Sequence, residues 1–179
     1  ATGNSTTNLA ALTLGTGTEL AATSIVGTSD NDTIVATGGV DTIAAGVGND
    51  TITPGAGSDV ITLGNGTNIV NFSAGDATSG ETISDLNSGG GTNTFNIVTT
   101  EDFDSMIAPN GAGAGTVLTG LDKISIATGQ GATFAGEQLT GLTLAIDGAG
   151  GGAAEVLTVQ VATGNSTTNL AALTLGTGT

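Results

Sequence analysis

The stretch GTSDNDTIVATGGVDTIAAGVGNDTITPGAGSDVITLGNGTNIVN, residues 27–71, divides into five blocks of nine. Asp32, Asp41, Asp50 and Asp59 hold the sixth place of the first four blocks, and Asn68 holds that of the fifth. Two places after each stands an aliphatic residue: Ile34, Ile43, Ile52, Ile61 and Val70. The second place carries Gly46, Gly55 and Gly64; the fourth carries Gly39, Gly48, Gly57 and Gly66, with Asp30 in the first block. A backbone shape therefore repeats every nine residues. The next block, 72–80, keeps Gly75 but loses the acid and the aliphatic in phase, so the periodic run ends near residue 71.

Glycine serves where the chain must turn with positive φ, which places a tight loop in the first six positions of each block. The last three positions, rich in Thr, Ile and Val, suit a short strand whose eighth residue points inward. If two blocks make one turn, residues eighteen apart stack at the strand spacing of about 4.8 Å. Ile34, Ile52 and Val70 then line one wall of a narrow core, and Ile43 and Ile61 the other. The same stacking sets Asp32 over Asp50 over Asn68 on one edge and Asp41 over Asp59 on the opposite edge. Stacked like charges repel. Loops rich in carboxylates and free carbonyls suit a hard cation taking six to eight oxygens, which is calcium rather than zinc. The bland alternative is a metal-free solenoid with solvated acidic loops.

The blocks resemble the RTX nonapeptide G-G-x-G-x-D-x-U-x, a family whose fold is a calcium-bound parallel β-roll. Blocks three and four match best, each lacking only the first glycine. Two further stretches are similar to family segments: GETISDL (80–86) to the one that commonly closes such a roll, and GLDKISI (120–126) to a strand that often follows. The candidate calcium ligands are thus Asp30, Asp32, Asp41, Asp50, Asp59 and Asn68, with Asp76 and Asp85 added by the resemblance. For the last two, exposed turn acids are an equal reading. The resemblance also implies secretion through a C-terminal signal, hence an extracellular or cell-surface location.

Sixteen acids face one base, Lys123, for a net charge of −15. That balance argues against nucleic acid and anionic membranes as partners. Cysteine is absent, so no disulfide braces the fold. No apolar run approaches a membrane span. His, Cys, Arg and Tyr are also missing, which removes the usual general bases, thiol nucleophiles and anion clamps and argues against an enzyme. A glycosidase-like carboxylate pair stays open, although no Trp or Tyr offers a sugar platform. Lys123 reads as a strand-edge charge.

Residues 1–18, ATGNSTTNLAALTLGTGT, recur unchanged as 162–179, an offset of 161. One reading is a period, plus overlap, of a longer tandem array; others are a duplicated end or a strand handed between subunits. The expected organisation is a β-strand segment at 1–26, a calcium β-roll at 27–80, a β-rich Gly/Thr-rich segment at 81–161, and the start of the next repeat at 162–179. The class is all-β, with a parallel β-roll followed by more β-helix or a small β-sandwich. Strand candidates there are 92–99, 115–119, 122–127, 142–147, 155–162 and 171–175. Segments 101–108 and 134–140 are where a short helical turn fits, and Glu101, Asp102 and Asp104 read as surface acids. With four Phe in the chain, the core is expected to rest on stacked Ile, Leu and Val.

The functional reading is a calcium-stabilised structural repeat of an extracellular filament, surface layer or giant adhesin, whose partners are copies of itself. The alternatives are an ice- or carbohydrate-binding module, and a noncatalytic domain of a secreted enzyme. Ice binding asks for a regular outward Thr or Asn file, and Thr33, Thr42, Thr51 and then Val60 make an irregular one.

Overall fold

Short extended segments separated by glycine turns cannot form a helix bundle; they pair side by side. In the computed structural model, described over residues 5–8, 23–84, 90–104, 106, 118–161, 169–171 and 173–175, they do so wholly in parallel. In chain order the strands are β1 (Ser5–Asn8), β2 (Thr23–Val26), β3 (Asp32–Val35), β4 (Asp41–Ala44), β5 (Thr51–Thr53), β6 (Val60–Thr62), β7 (Ile69–Phe72) and β8 (Thr82–Ser84). They continue as β9 (Thr94–Ile97), β10 (Glu101–Asp102), β11 (Lys123–Ile126), β12 (Gly131–Ala135), β13 (Leu144–Gly148), β14 (Val156–Gln160) and β15 (Leu173–Leu175). A single helical turn, α1 (Gly136–Leu139), follows β12.

Odd-numbered strands form one eight-stranded sheet in sequential order. Even-numbered strands form the facing wall, as β2-β4-β6-β8 and then β10-β12-β14. Each coil contributes one strand to each wall, so the fold is a parallel β-solenoid. It extends through the described part of 81–161, where a sandwich was the other expectation. No helix among the described residues is long and apolar enough to cross a membrane.

Alternation along each strand sends one file of side chains inward. In the large sheet Ile34, Ile52, Val70, Phe95, Ile124 and Ile146 stand in register on successive strands. On the facing wall Ile43, Ile61 and Ile83 do the same. All nine are buried. The stacking expected from the nonapeptide phase is therefore present, and it outlasts the phase itself.

The two halves are filled differently. Between the nonapeptide coils the core is one Ile or Val per strand, helped by Ala36, Ala45 and Leu63. Beyond them all four Phe gather, adding an aromatic cluster to a core that is otherwise mainly aliphatic, as expected. Phe72 meets Phe95 and Phe103 edge-on at centroid distances of 5.1 and 4.9 Å, and Phe103 stacks on Phe134 at 4.6 Å. Such pairs add roughly 0.5–1.5 kcal/mol each beyond their buried area.

Three local expectations are also corrected. Residues 101–102 are strand β10, not a helical turn, whereas 134–140 does hold α1. Of the candidate strand 115–119, Leu118 and Thr119 lie outside any strand, and 115–117 lie outside the described residues. Lys123 sits inside the large sheet, between β9 and β13, and pairs with Asp147 at 2.5 Å. It is therefore no edge charge.

Candidate metal centre

In the nonapeptide region an acid or amide stands at or just before the start of each of β3 to β7, and Asp50, Asp59 and Asn68 reach across to the preceding coil. On one edge the carboxylate of Asp50 accepts the backbone N–H of Asp32 at 2.9 Å, and the amide oxygen of Asn68 accepts that of Asp50 at 2.9 Å. On the opposite edge Asp59 accepts the N–H of Asp41 at 2.7 Å. The side chains are thus rungs between coils, and each satisfies a strand-initiating N–H that the sheet ladder does not reach. Asp32 and Asp41 also close their own loops. Their Oδ2 atoms accept the backbone N–H groups and hydroxyls of Thr28 and Thr37.

In Asp41, Asp50, Asp59 and Glu81 one oxygen is so used and the other is stranded. Asp41 Oδ1, Asp50 Oδ2, Asp59 Oδ2 and Glu81 Oε1 are buried without a hydrogen-bond partner. Burial pushes the Asp59 carboxyl up to about 7, opposed by the Asp41 N–H it accepts and reinforced by the nearby carboxylates of Asp41 and Asp76. Glu81 rises to about 9, again chiefly by burial, with Asp59 and Asp76 adding to it. Burial likewise raises Asp50, with Asp32 as the neighbouring charge. An unpartnered buried carboxylate is costly. Stacked hard oxygens in this state fit a divalent cation that takes oxygen ligands. Among the described residues no three carboxylates converge on one point. A calcium ion here would therefore draw the rest of its shell from loop carbonyls.

The glycines set those carbonyls. Gly46, Gly55 and Gly64 have φ of +109°, +84° and +76°. A Cβ on each would also strike the carbonyl oxygen of the loop eighteen residues earlier, at Thr28, Thr37 and Gly46 respectively. Loops on each edge are therefore laid one against the next, carbonyl to glycine. Two separate constraints, positive φ and close approach, select the residue.

Of the candidate ligands, Asp32, Asp41, Asp50, Asp59 and Asn68 are buried and stacked as expected. Asp30 lies half-buried in the loop facing Gly48. Asp76 is buried, its Oδ2 accepting the Ser73 N–H at 2.8 Å, which corrects the exposed-turn reading. Asp85 lies outside the described residues. Glu101 is not a surface acid: it is buried and accepts the N–H groups of Gly75 and Ala77 at 2.8 and 3.2 Å.

Two features are absent from the nonapeptide reading. Glu81 takes the next rung after Asp59, accepting its N–H at 3.0 Å over 22 residues. On the other edge Asn93 follows Asn68, whose Nδ2 donates to Asn93 Oδ1 at 3.2 Å, and Asp122 accepts the Asn93 N–H at 2.8 Å. A local sign was present: Glu81, Asn93, Glu101 and Asp122 each stand two residues before a buried Ile or Phe, at Ile83, Phe95, Phe103 and Ile124.

A family model of the RTX calcium-binding nonapeptide repeat (4 copies) matches residues 26–61 and 55–78. Neither a curated protein nor a solved structure matches the chain.

Proposed function

We propose that this RTX β-roll protein, whose repeats at 26–78 bind calcium, is a structural repeat unit of an extracellular filament, surface layer or adhesin. RTX β-rolls are typically structural or noncatalytic modules, and proteins that carry them are generally secreted. The observation that carries the reading is the set of stranded carboxylate oxygens on stacked acids in the nonapeptide coils. We assign Asp32, Asp41, Asp50 and Asp59 as calcium ligands, with Asp30, Asn68 and Asp76 beside them and Asp85 by resemblance.

Bound calcium would supply the positive charge that this chain lacks. The protein's own part is to stack the loops, hold the carbonyls in place and leave one oxygen each of Asp41, Asp50 and Asp59 unused. Without the ion the acidic loops repel across a thin core, so binding and folding are coupled. Extracellular calcium, at millimolar levels, suits such a brace. The unchanged recurrence of 1–18 at 162–179 supports units in tandem, since arrays whose units touch mainly their neighbours build fibres and sheets.

Two measurements test this reading. The intact mass of the natural polypeptide should be several times that of this chain. Excess chelator should change both far-UV circular dichroism and filament appearance. A one-period mass, or chelator without effect on either readout, defeats it.

A further inference from the structure

Among the described residues the smaller wall of the solenoid ends in an uncovered strand on each side. All pairings are parallel, so the molecule has a direction along its axis, and a copy shifted along that axis brings its first strands to the last strands of the copy before it. On the smaller wall these edges are β14 at one end and β2 at the other. Leu157 and Val159 of β14 lie in register with Ala132 and Phe134 of β12. The β12 pair is fully buried, while Leu157 and Val159 are only partly so, and Val156 is 54% exposed. The last coil thus presents core side chains with no further strand over them among the described residues. Neither β14 (VLTVQ) nor β2 (TSIV) carries a charge, in a chain of net charge −15.

Taking the tandem reading above as its premise, we infer that the solenoid runs unbroken from one copy into the next, β14 pairing in parallel with β2 of the following copy. Chain length permits it. At the 161-residue offset, Thr23 of the following copy comes 28 residues after Val156. Within this chain the step from β10 to β12 is 30 residues, and from β12 to β14 it is 25. One coil is therefore the right length for the join. The recurring segment joins the larger wall at both ends of the chain: β1 (Ser5–Asn8) lies on β3, and β15 (Leu173–Leu175), the counterpart of residues 12–14, lies on β13. The partner is the same sequence, met by strand addition rather than by a side-chain patch.

The test is a polypeptide of residues 1–179 followed by 19–161, which is two copies sharing one recurring segment. Hydrogen exchange at Val156–Gln160 of the first copy is compared with that in the single chain. The join slows exchange of the β14 amides that point away from β12 by about tenfold or more, and β13 amides serve as the folding control. Small-angle scattering should give one straight rod of roughly doubled length. Unchanged β14 exchange, or scattering from two hinged bodies, overturns the join while leaving a tandem array intact. A one-period natural mass overturns the array, and the two-copy polypeptide still reports on the join.

Discussion

Asp50 and Asp32, eighteen residues apart, share one rung: the Asp50 carboxylate accepts the Asp32 N–H with Oδ1 and leaves Oδ2 buried and unpartnered. With the free oxygen assigned to calcium, as proposed, structure and ion binding fall to different oxygens of one side chain, and substitution should separate them. Asp50→Asn keeps an oxygen for the Asp32 N–H, as Asn68 does naturally for Asp50. It should leave the calcium-free stability unchanged or higher while weakening calcium binding. Asp50→Ala should lose both, with about 1–3 kcal/mol from the orphaned N–H alone. Calcium titration calorimetry and chelated thermal melts on the two variants check this. Equal calcium affinity in Asp50→Asn and the parent chain would sink the assignment.

The raised carboxyls give the calcium-free fold an unusual pH dependence. Asp59 titrates near 7 and Glu81 near 9 in the folded chain, against ordinary values of 3.8 and 4.5. Between those limits the folded chain holds protons that the unfolded chain has released, so stability falls as pH rises. Acidification from pH 9 towards 5 should thus raise the melting temperature in chelator. Calcium held by Asp59, as proposed, would compete with its proton, so the apparent affinity should rise with pH through about 7. A calcium-free melting temperature that climbs with pH would contradict the burial of these groups.

Gly55 and Gly75 share positive φ, at +84° and +89°, but differ in surroundings. A Cβ at Gly75 meets nothing within 4 Å, whereas one at Gly55 strikes the Thr37 carbonyl. Gly75→Ala should cost only the left-handed penalty of about 1–2 kcal/mol. Gly55→Ala should cost clearly more, because two stacked loops must part. Denaturant melts in calcium would settle the order, and equal losses would refute the carbonyl-to-glycine contact.

How far the sequence is legible follows from what holds each half. In 27–71 the coil length is constant, so one phase predicts Ile34 over Ile52 and Asp41 over Asp59 alike. After Asn68 the rungs fall 25 and 29 residues apart, at Asn93 and Asp122, and no period survives. Cross-coil pairing needs only that each strand return to register, and the turn between is free to vary in length. What persists is local, an acid or amide two residues before a core side chain, and it marks rungs without saying which coil each meets. The Phe cluster is likewise invisible to periodicity. Phe72, Phe103 and Phe134 converge from β7, the turn after β10, and β12.

Chelation should therefore act unevenly. Amides of β3 to β6 should lose hydrogen-exchange protection first, while β9, β11 and β12, gathered around the Phe cluster, hold theirs. Phe103→Ala should destabilise by about 3–5 kcal/mol, with the same cost in calcium and in chelator. A uniform loss of protection on chelation, or a calcium-dependent Phe103 penalty, would show that the two halves do not differ in what holds them.

The parallel pairing of every strand has a mechanical consequence. Sheet hydrogen bonds run between successive coils, along the solenoid axis, so tension applied along that axis loads the coils in series and the weakest interface parts first. One stretch of the molecule then has a yield force tuned by dissolved calcium, and the other, packed with phenylalanine, has a fixed one. A thread of such units would stretch in two stages, with the ambient ion concentration choosing which stage comes first.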